Sequence, residues 1–305
     1  MTVLLDTAST NVFFDDKRLR KEAEDVYQKL VDHCVWIAGR SFDQVWKKTT
    51  TETEAHITEA VTSPTSLAFD MILPRLTEGL DSIGQKDEDD IVDEVISDLA
   101  DRVIPSLRRI FLDQDRIVVI LTSVMYYVIG PAFRNRKLYK PETMTRVLDV
   151  LNAMSRIPFA HKAWKKEAWD AFLDSRFFMM DLKTSSKWKN IVNSLVSSEK
   201  EKFLELFTRI GASPGLFFSN ISERALAIRK LAFIIFSGTQ DQYVAQLPSV
   251  QEKLVETLKT SSSLLHVEVY FCLRILLYKF SSKHLANVWP IIMTELVRPF
   301  FNIQI

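Results

Sequence analysis

Residues 243–254 read YVAQLPSVQEKL, and their spacing decides the fold. Apolar side chains stand at Tyr243, Leu247, Val250 and Leu254, steps of four, three and four that share one helix face. Pro248 follows Leu247 directly, a position where proline either starts a helix or kinks one. The same frame recurs around Pro74 (Phe69, Leu73, Leu76, Leu80), Pro105 (Ala100, Ile104, Leu107, Phe111) and Pro290 (Leu285, Trp289, Ile292, Leu296). Pro74 and Pro105 lie 31 residues apart, Pro248 and Pro290 42, near the period of about 40–47 found in HEAT and armadillo helix pairs. The frame predicts an all-α chain, an α-solenoid of HEAT/armadillo-like antiparallel helix pairs, clearest over residues 222–301.

Outward from there, apolar spacings of three and four run through nearly the whole chain. They predict helices over about 16–46, 55–82, 88–113, 115–130, 142–156, 160–174, 186–197, 199–210, 222–237, 240–260, 264–280 and 282–301. Breaks fall at Gly84, Gly130-Pro131, Pro141, Pro158, residues 211–215 and Gly238, as helix-stop chemistry expects. No run alternates as a strand between two-residue turns. The length allows two compact domains or one array, and the periodicity favours one elongated helical-repeat module over residues 1–305. The apolar ending FFNIQI, without a polar capping helix, is expected to be a cut through a longer solenoid.

Composition narrows the function. The chain has 305 residues, 47 % hydrophobic and 26 % charged, which is globular rather than disordered. Seven glycines leave little material for phosphate-cradling loops or mobile lids. Cys34 and Cys272 are isolated thiols in apolar helical patterns, which suggests a reducing compartment. Residues 1–14 show no basic-then-apolar signal pattern. The most apolar run, Ile117 to Gly130, stops at 14 residues between Arg116 and Pro131; it is expected to be a buried core helix, any membrane link being peripheral.

Catalytic devices are not in evidence. There is no Gly-x-Gly-x-x-Gly, Gly-x-x-x-x-Gly-Lys or Gly-x-Ser-x-Gly. His33, His56, His161, His266 and His284 stand alone, without metal-ligand spacing, and no Cys-x-x-Cys occurs. His33 and Cys34 are adjacent on a helix and point about 100° apart, poor placement for a base and nucleophile. No enzyme, metal or cofactor is expected.

Charge carries more information. Residues 51–100 hold thirteen acidic side chains against Arg75 and Lys86, residues 101–200 a net +8, and the remainder a net +3. The zero total therefore hides a polarity, and in an array the acidic end is expected to face away from a basic middle. Asp87, Glu88, Asp89, Asp90, Asp93 and Glu94 open a helix, where carboxylates suit the dipole, and they form a candidate acidic partner face. Arg134, Arg136, Lys137 and Lys140, then Lys162, Lys165 and Lys166 beside Trp164 and Trp169, are candidate contacts for an acidic protein or anionic lipid headgroup. No recognition motif for nucleic acid accompanies them.

From about residue 160 to 301 the chain resembles the C-terminal region of the Dopey family. The resemblance rests on WKKEAWD (164–170), DSRFF (174–178), RKLAF (229–233), DQY (241–243), LP with QEKLVE (247–256) and WPIIMTELV (289–297). It implies a fragment of a much longer cytoplasmic protein, peripheral on Golgi and endosomal membranes and acting in retrograde trafficking. Implied partners are an Arf-exchange-factor-like scaffold, an aminophospholipid flippase and kinesin light chain. None of these motifs is catalytic. A general α-solenoid transport adaptor of karyopherin or armadillo type, and a membrane-surface module acting through the basic clusters, are the competing expectations.

Overall fold

The computed structural model describes residues 17–54, 88–134, 140–199, 201–211 and 221–286, with positions 289, 290, 293, 294 and 297; side chains are described from residue 90 on in the second of these segments and through residue 42 in the first. All regular elements among them are helical. The chain divides into two compact units, Met1–Trp164 and Lys165–Ile305. The helix predicted over 55–82, and the frame around Pro74, lie outside the described residues.

In unit 1, α1 (Lys17–Glu54) buries Tyr27, Val31, Val35, Ala38 and Phe42, a stripe at helical spacing. Next comes α2, which runs Glu88–Asp98, through a π-helical turn Leu99–Val103, into Ile104–Ile110. The third helix, α3, repeats that plan: Gln114–Val124, a π turn Met125–Ile129, then Gly130–Arg134. Asp113 caps it, its carboxylate accepting from the Asp115 amide at 2.9 Å. Helix α4 spans Pro141–Ser155, with proline in its first turn.

The break predicted at Gly130-Pro131 does not occur, and the reason is common to both π turns. Each is followed two residues later by a proline, Pro105 and Pro131. A proline ring inside an α-helix collides with the carbonyl four residues back and has no amide to donate. Widening the preceding turn, with the Ile104 and Gly130 amides reaching back to the Leu99 and Met125 carbonyls, lets the helix pass the proline. The residues framing Pro105, namely Ala100, Ile104, Leu107 and Phe111, are all buried as the sequence predicts.

Helices α1 and α3 run parallel: Glu24 and Asp25 bind Arg116, and further along both helices Gly39 lies against Tyr127. Helices α2 and α4 are also parallel, with Asp93 held by Thr143 and Arg146 at their starts. Sequential neighbours are antiparallel; Tyr27 of α1 donates its hydroxyl to the Val103 carbonyl of α2. A Cβ on Gly39 would sit 3.1 Å from the Tyr127 carbonyl oxygen and 3.2 Å from its Cβ. Backbone cannot yield there, so Gly39→Ala is expected to lower stability by about 1–2 kcal/mol, overpacking outweighing the gain in helix propensity. Urea unfolding of the variant measures this.

Unit 2 receives α5 (His161–Leu173), within which the division falls, then α6 (Leu182–Ser198), α7 (Glu201–Ile210), α8 (Ile221–Ser237), α9 (Leu247–Leu258), α10 (Ser263–Lys279) and the single turn α11 (Ser282–Leu285). Asp181 caps α6 by accepting the Thr184 amide, which holds its carboxyl below the usual range. Helix α8 packs against α6, α7 and α10; α9 packs against α7 and α10. Pro248 starts α9, and Tyr243, Leu247, Val250 and Leu254 around it are all buried. The stretch 240–246, predicted as helix, is instead a turn and a short 3-10 segment, because Asp241 takes a positive φ of 58° after the Gly238 stop.

Candidate functional site

The motifs quoted above are packing devices. In RKLAF, Arg229 grips Glu268 of α10 with two guanidinium nitrogens, one contact at 2.9 Å, and the Glu268 side chain is only 3 % exposed. Phe233 joins Phe172, Phe177 and Phe178 in an aromatic cluster that ties α5 and the Phe177–Met179 turn to α8. In DQY, Asp241 accepts the Ser281 amide at 2.8 Å, Gln242 donates to Asn193 and Ser197, and Tyr243 shares Asn193. Trp169 donates its indole N–H to Glu205 at 2.8 Å, with Lys202 over its ring.

Lys230 lies beside Arg229 but points inward, donating its ammonium to the Leu173 carbonyl at the end of α5. Burial pushes its pKa from the ordinary 10.5 down to about 8. Between those values the unfolded chain holds a proton that the folded chain has released, so this group adds stability as pH rises through the window. The unfolding midpoint of the wild-type chain, measured against that of Lys230→Met, is expected to be higher at pH 9.5 than at pH 7.

The predicted site residues fall as follows. Asp87, Arg136 and Lys137 lie outside the described residues, as do the side chains of Glu88 and Asp89. Asp90 and Glu94 are exposed on the first turns of α2, whereas Asp93 is half-buried against Arg146 and Thr143. Lys140 is the N-cap of α4, and Asp93 near the start of α2 meets Thr143 and Arg146 in the first turns of α4, so the two helix starts share one end of unit 1. Most of the acidic stretch 51–100, and residues 135–139, lie outside the described residues. Arg134 is exposed at the end of α3. Lys162 and Lys166 are exposed one turn apart on α5, while Lys165 is paired with Glu199.

The apolar run 117–130 is a core helix, burying Ile117, Ile120, Leu121, Val124 and Val128 in unit 1. Helix Gln114–Arg134 is, at 21 residues, long and apolar enough to cross a membrane, but half of it is buried within the protein. Cys272 is fully buried, and burial pushes its thiol up to about 12, away from thiolate chemistry. Among the described residues no group of three or more His, Cys, Asp or Glu is placed to hold a metal. A depression of about 190 Å³ lined by Phe203, Gln242, Tyr243 and Gln246 has a tyrosine that burial pushes to about 12, out of range for a base at neutral pH.

What the sequence reading did not isolate is the outer face of α10. Leu264, Val267, Phe271, Arg274 and Tyr278, spaced by three and four, form an exposed stripe, flanked by exposed Tyr270 and Leu277. Tyr278 is 68 % exposed and Val267 59 %. The signal was there: α10 is apolar around most of its circumference, yet only Leu265, Val269, Cys272, Leu273 and Leu276 face the core. The ridge is apolar apart from Arg274 and faces solvent, a composition suited to contact and not to chemistry.

Comparison with known proteins finds relatives along the whole chain. The chain aligns at 27 % identity with mouse "Protein DOP1B", covering all of this chain and 13 % of that protein. It aligns at 27 % with the Drosophila melanogaster "Protein DOP1 homolog", 95 % of this chain and 11 % of that protein, and at 29 % with Caenorhabditis elegans "Protein pad-1", 78 % and 9 %. The chain thus spans about an eighth or less of the length of these relatives. No solved structure matches it. The model of the family described as DOP1 C-terminal matches residues 1–304, and the chain belongs to that family, the C-terminal region of the Dopey proteins.

Proposed function

We propose that the chain is a non-catalytic scaffold, an α-solenoid interaction module of a Dopey-like protein in endosome–Golgi trafficking. The observation that carries the reading is the wiring within each unit. In unit 1, α1 and α3 run parallel, as do α2 and α4, while sequential helices are antiparallel. Unit 2 follows the same rule: Lys165–Glu199 and Trp169–Glu205 set α5 beside α7, and Phe203–Tyr243 sets α7 beside the start of α9. Arg229–Glu268 and Lys279–Gly238 set α8 beside α10. Alternate helices stacked in parallel are what repeated antiparallel pairs produce, and such arrays expose long ridges to partners.

The partner in this reading is an Arf-exchange-factor-like scaffold protein, at the cytoplasmic face of Golgi and endosomal membranes, with a flippase and kinesin light chain as further candidates. Pull-down of that scaffold by the purified chain tests it. Capture by a chain shown folded by circular dichroism is expected; a folded chain that captures nothing contradicts it. Exposed Lys162 and Lys166 on one face of α5 favour a second reading, contact with anionic lipid. Flotation with anionic liposomes, lost in Lys162→Glu/Lys166→Glu, would support that reading, and no flotation of the wild-type chain rejects it.

A further inference from the structure

Charge in unit 2 is segregated by helix layer, which block-by-block counting along the sequence conceals. Helices α6, α8 and α10 carry eight basic residues and two acidic ones. Helices α7 and α9, with α5 from Lys165 onward, carry five basic and six acidic. Of the two acids in the first layer, Glu268 is gripped by Arg229 and Glu223 lies in the first turn of α8.

Two half-buried cations of that layer meet at one aromatic ring, and the Lys279 ammonium also donates to the Gly238 carbonyl at 2.6 Å. Lys189 of α6 stands 4.4 Å from the centre of the Phe236 ring of α8, and Lys279 of α10 stands 5.4 Å from the same ring. Lys279 is also 5.7 Å from the Tyr278 ring, whose centroid is 6.2 Å from that of Phe236. Two ammonium groups thus flank one phenyl ring across three helices. Burial, and then the neighbouring Lys189 charge, lower the Lys279 pKa. This basic–aromatic seam adjoins the apolar ridge from Leu264 to Tyr278, about 21 Å long at the helical rise, with Arg274 as its one charged member.

We infer that this face docks an amphipathic, acidic helix of a partner protein, its apolar side along Leu264, Val267, Phe271 and Tyr278 and its carboxylates against Lys189, Lys279 and Arg274. The ridge has the three-and-four spacing that helix-on-helix packing uses, over a length matching four turns of a partner helix. A lipid surface makes no demand for that spacing. Excess positive charge in a layer that is almost without free carboxylates selects an acidic partner and rejects a basic one.

The inference rests on reading the chain as a binding scaffold. Its test pans the full chain against a display library of ~18-residue helices with leucines along one face and flanking positions varied among Glu, Lys and Ser. Enrichment of Glu over Lys is expected. Lys189→Glu/Lys279→Glu should weaken the selected peptide about tenfold or more, and Lys259→Glu, at the exposed end of α9, should not. Phe271→Ser, with helicity unchanged, should weaken it comparably. Absence of Glu enrichment, an affinity indifferent to the Lys189/Lys279 reversal, or binding to phosphatidylserine vesicles with no peptide selected overturns the inference. If the charge-reversed chain still captures the exchange-factor-like scaffold undiminished, this surface is wrong and the scaffold reading stands.

Discussion

Phe177→Ala is expected to destabilise unit 2 by about 3–5 kcal/mol, lowering its thermal midpoint by roughly 10–20 °C. Phe177 is 1 % exposed and lies within 5.5 Å, ring centre to ring centre, of Phe172 at 4.9 Å, Phe178 at 5.1 Å, Trp188 at 5.2 Å and Phe233 at 5.4 Å. It sits in a one-turn 3-10 segment between α5 and α6, so its ring is the common contact of α5, α6 and α8. Removing it leaves a cavity walled by large, rigid rings that cannot collapse inward, which places the cost high in the range for aromatic truncation. Phe178, half-buried at the rim of the same cluster, should cost less when truncated. Equal losses at the two positions, followed by near-ultraviolet circular dichroism and thermal unfolding, would contradict the packing described.

Arg229→Met is the second large effect, for an electrostatic reason. The Glu268 carboxylate is almost fully enclosed, and Arg229 supplies its neutralising charge and two hydrogen bonds. Losing one partner of a buried pair strands the other, a loss of about 3–5 kcal/mol. Arg229 itself is 44 % exposed, so water reaches the pair from one side and the lower end, about 3 kcal/mol, is expected. Arg229→Met/Glu268→Leu should recover most of that loss, because two apolar groups replace the pair without a buried charge. A double variant as unstable as the single one would mean that Arg229 acts through its contact with the Phe178 ring instead.

The helical class was legible because buried stripes such as Val147, Val150, Leu151 and Met154 repeat at helical spacing. Proline positions were legible too, but not their consequences. Pro248 starts a helix, one of the two outcomes its frame allowed, while Pro105 and Pro131 are bypassed by π turns, which require an amide to reach back one residue further than usual. Nothing in local propensity announces that choice; packing against α1 and α4 sustains it. Linear charge blocks do not show which charges meet, for a related reason. Asp93 and Arg146 are 53 residues apart and adjoin in space, since antiparallel helices return the chain to where it started. Charge in unit 2 sorts by alternate helices, a pattern visible only once helix order is converted into layers.

For the candidate surface, the family motifs proved a guide to the core and not to the outside. Arg229, Phe233, Asp241 and Tyr243 are spent on interhelix locks. The exposed ridge of α10 carries no motif, and its residue types alone match a buried helix. Exposure distinguishes them, and exposure is a property of the fold.

A partner docked as proposed would cover the outer face of the α6–α8–α10 layer. Side-chain oxidation footprinting of the chain, free and bound to the Arf-exchange-factor-like scaffold, tests that most directly. Phe271 and Tyr278 should lose reactivity on binding while Leu204, 64 % exposed on α7, keeps its own. Protection of Leu204 with Phe271 and Tyr278 unchanged would contradict it.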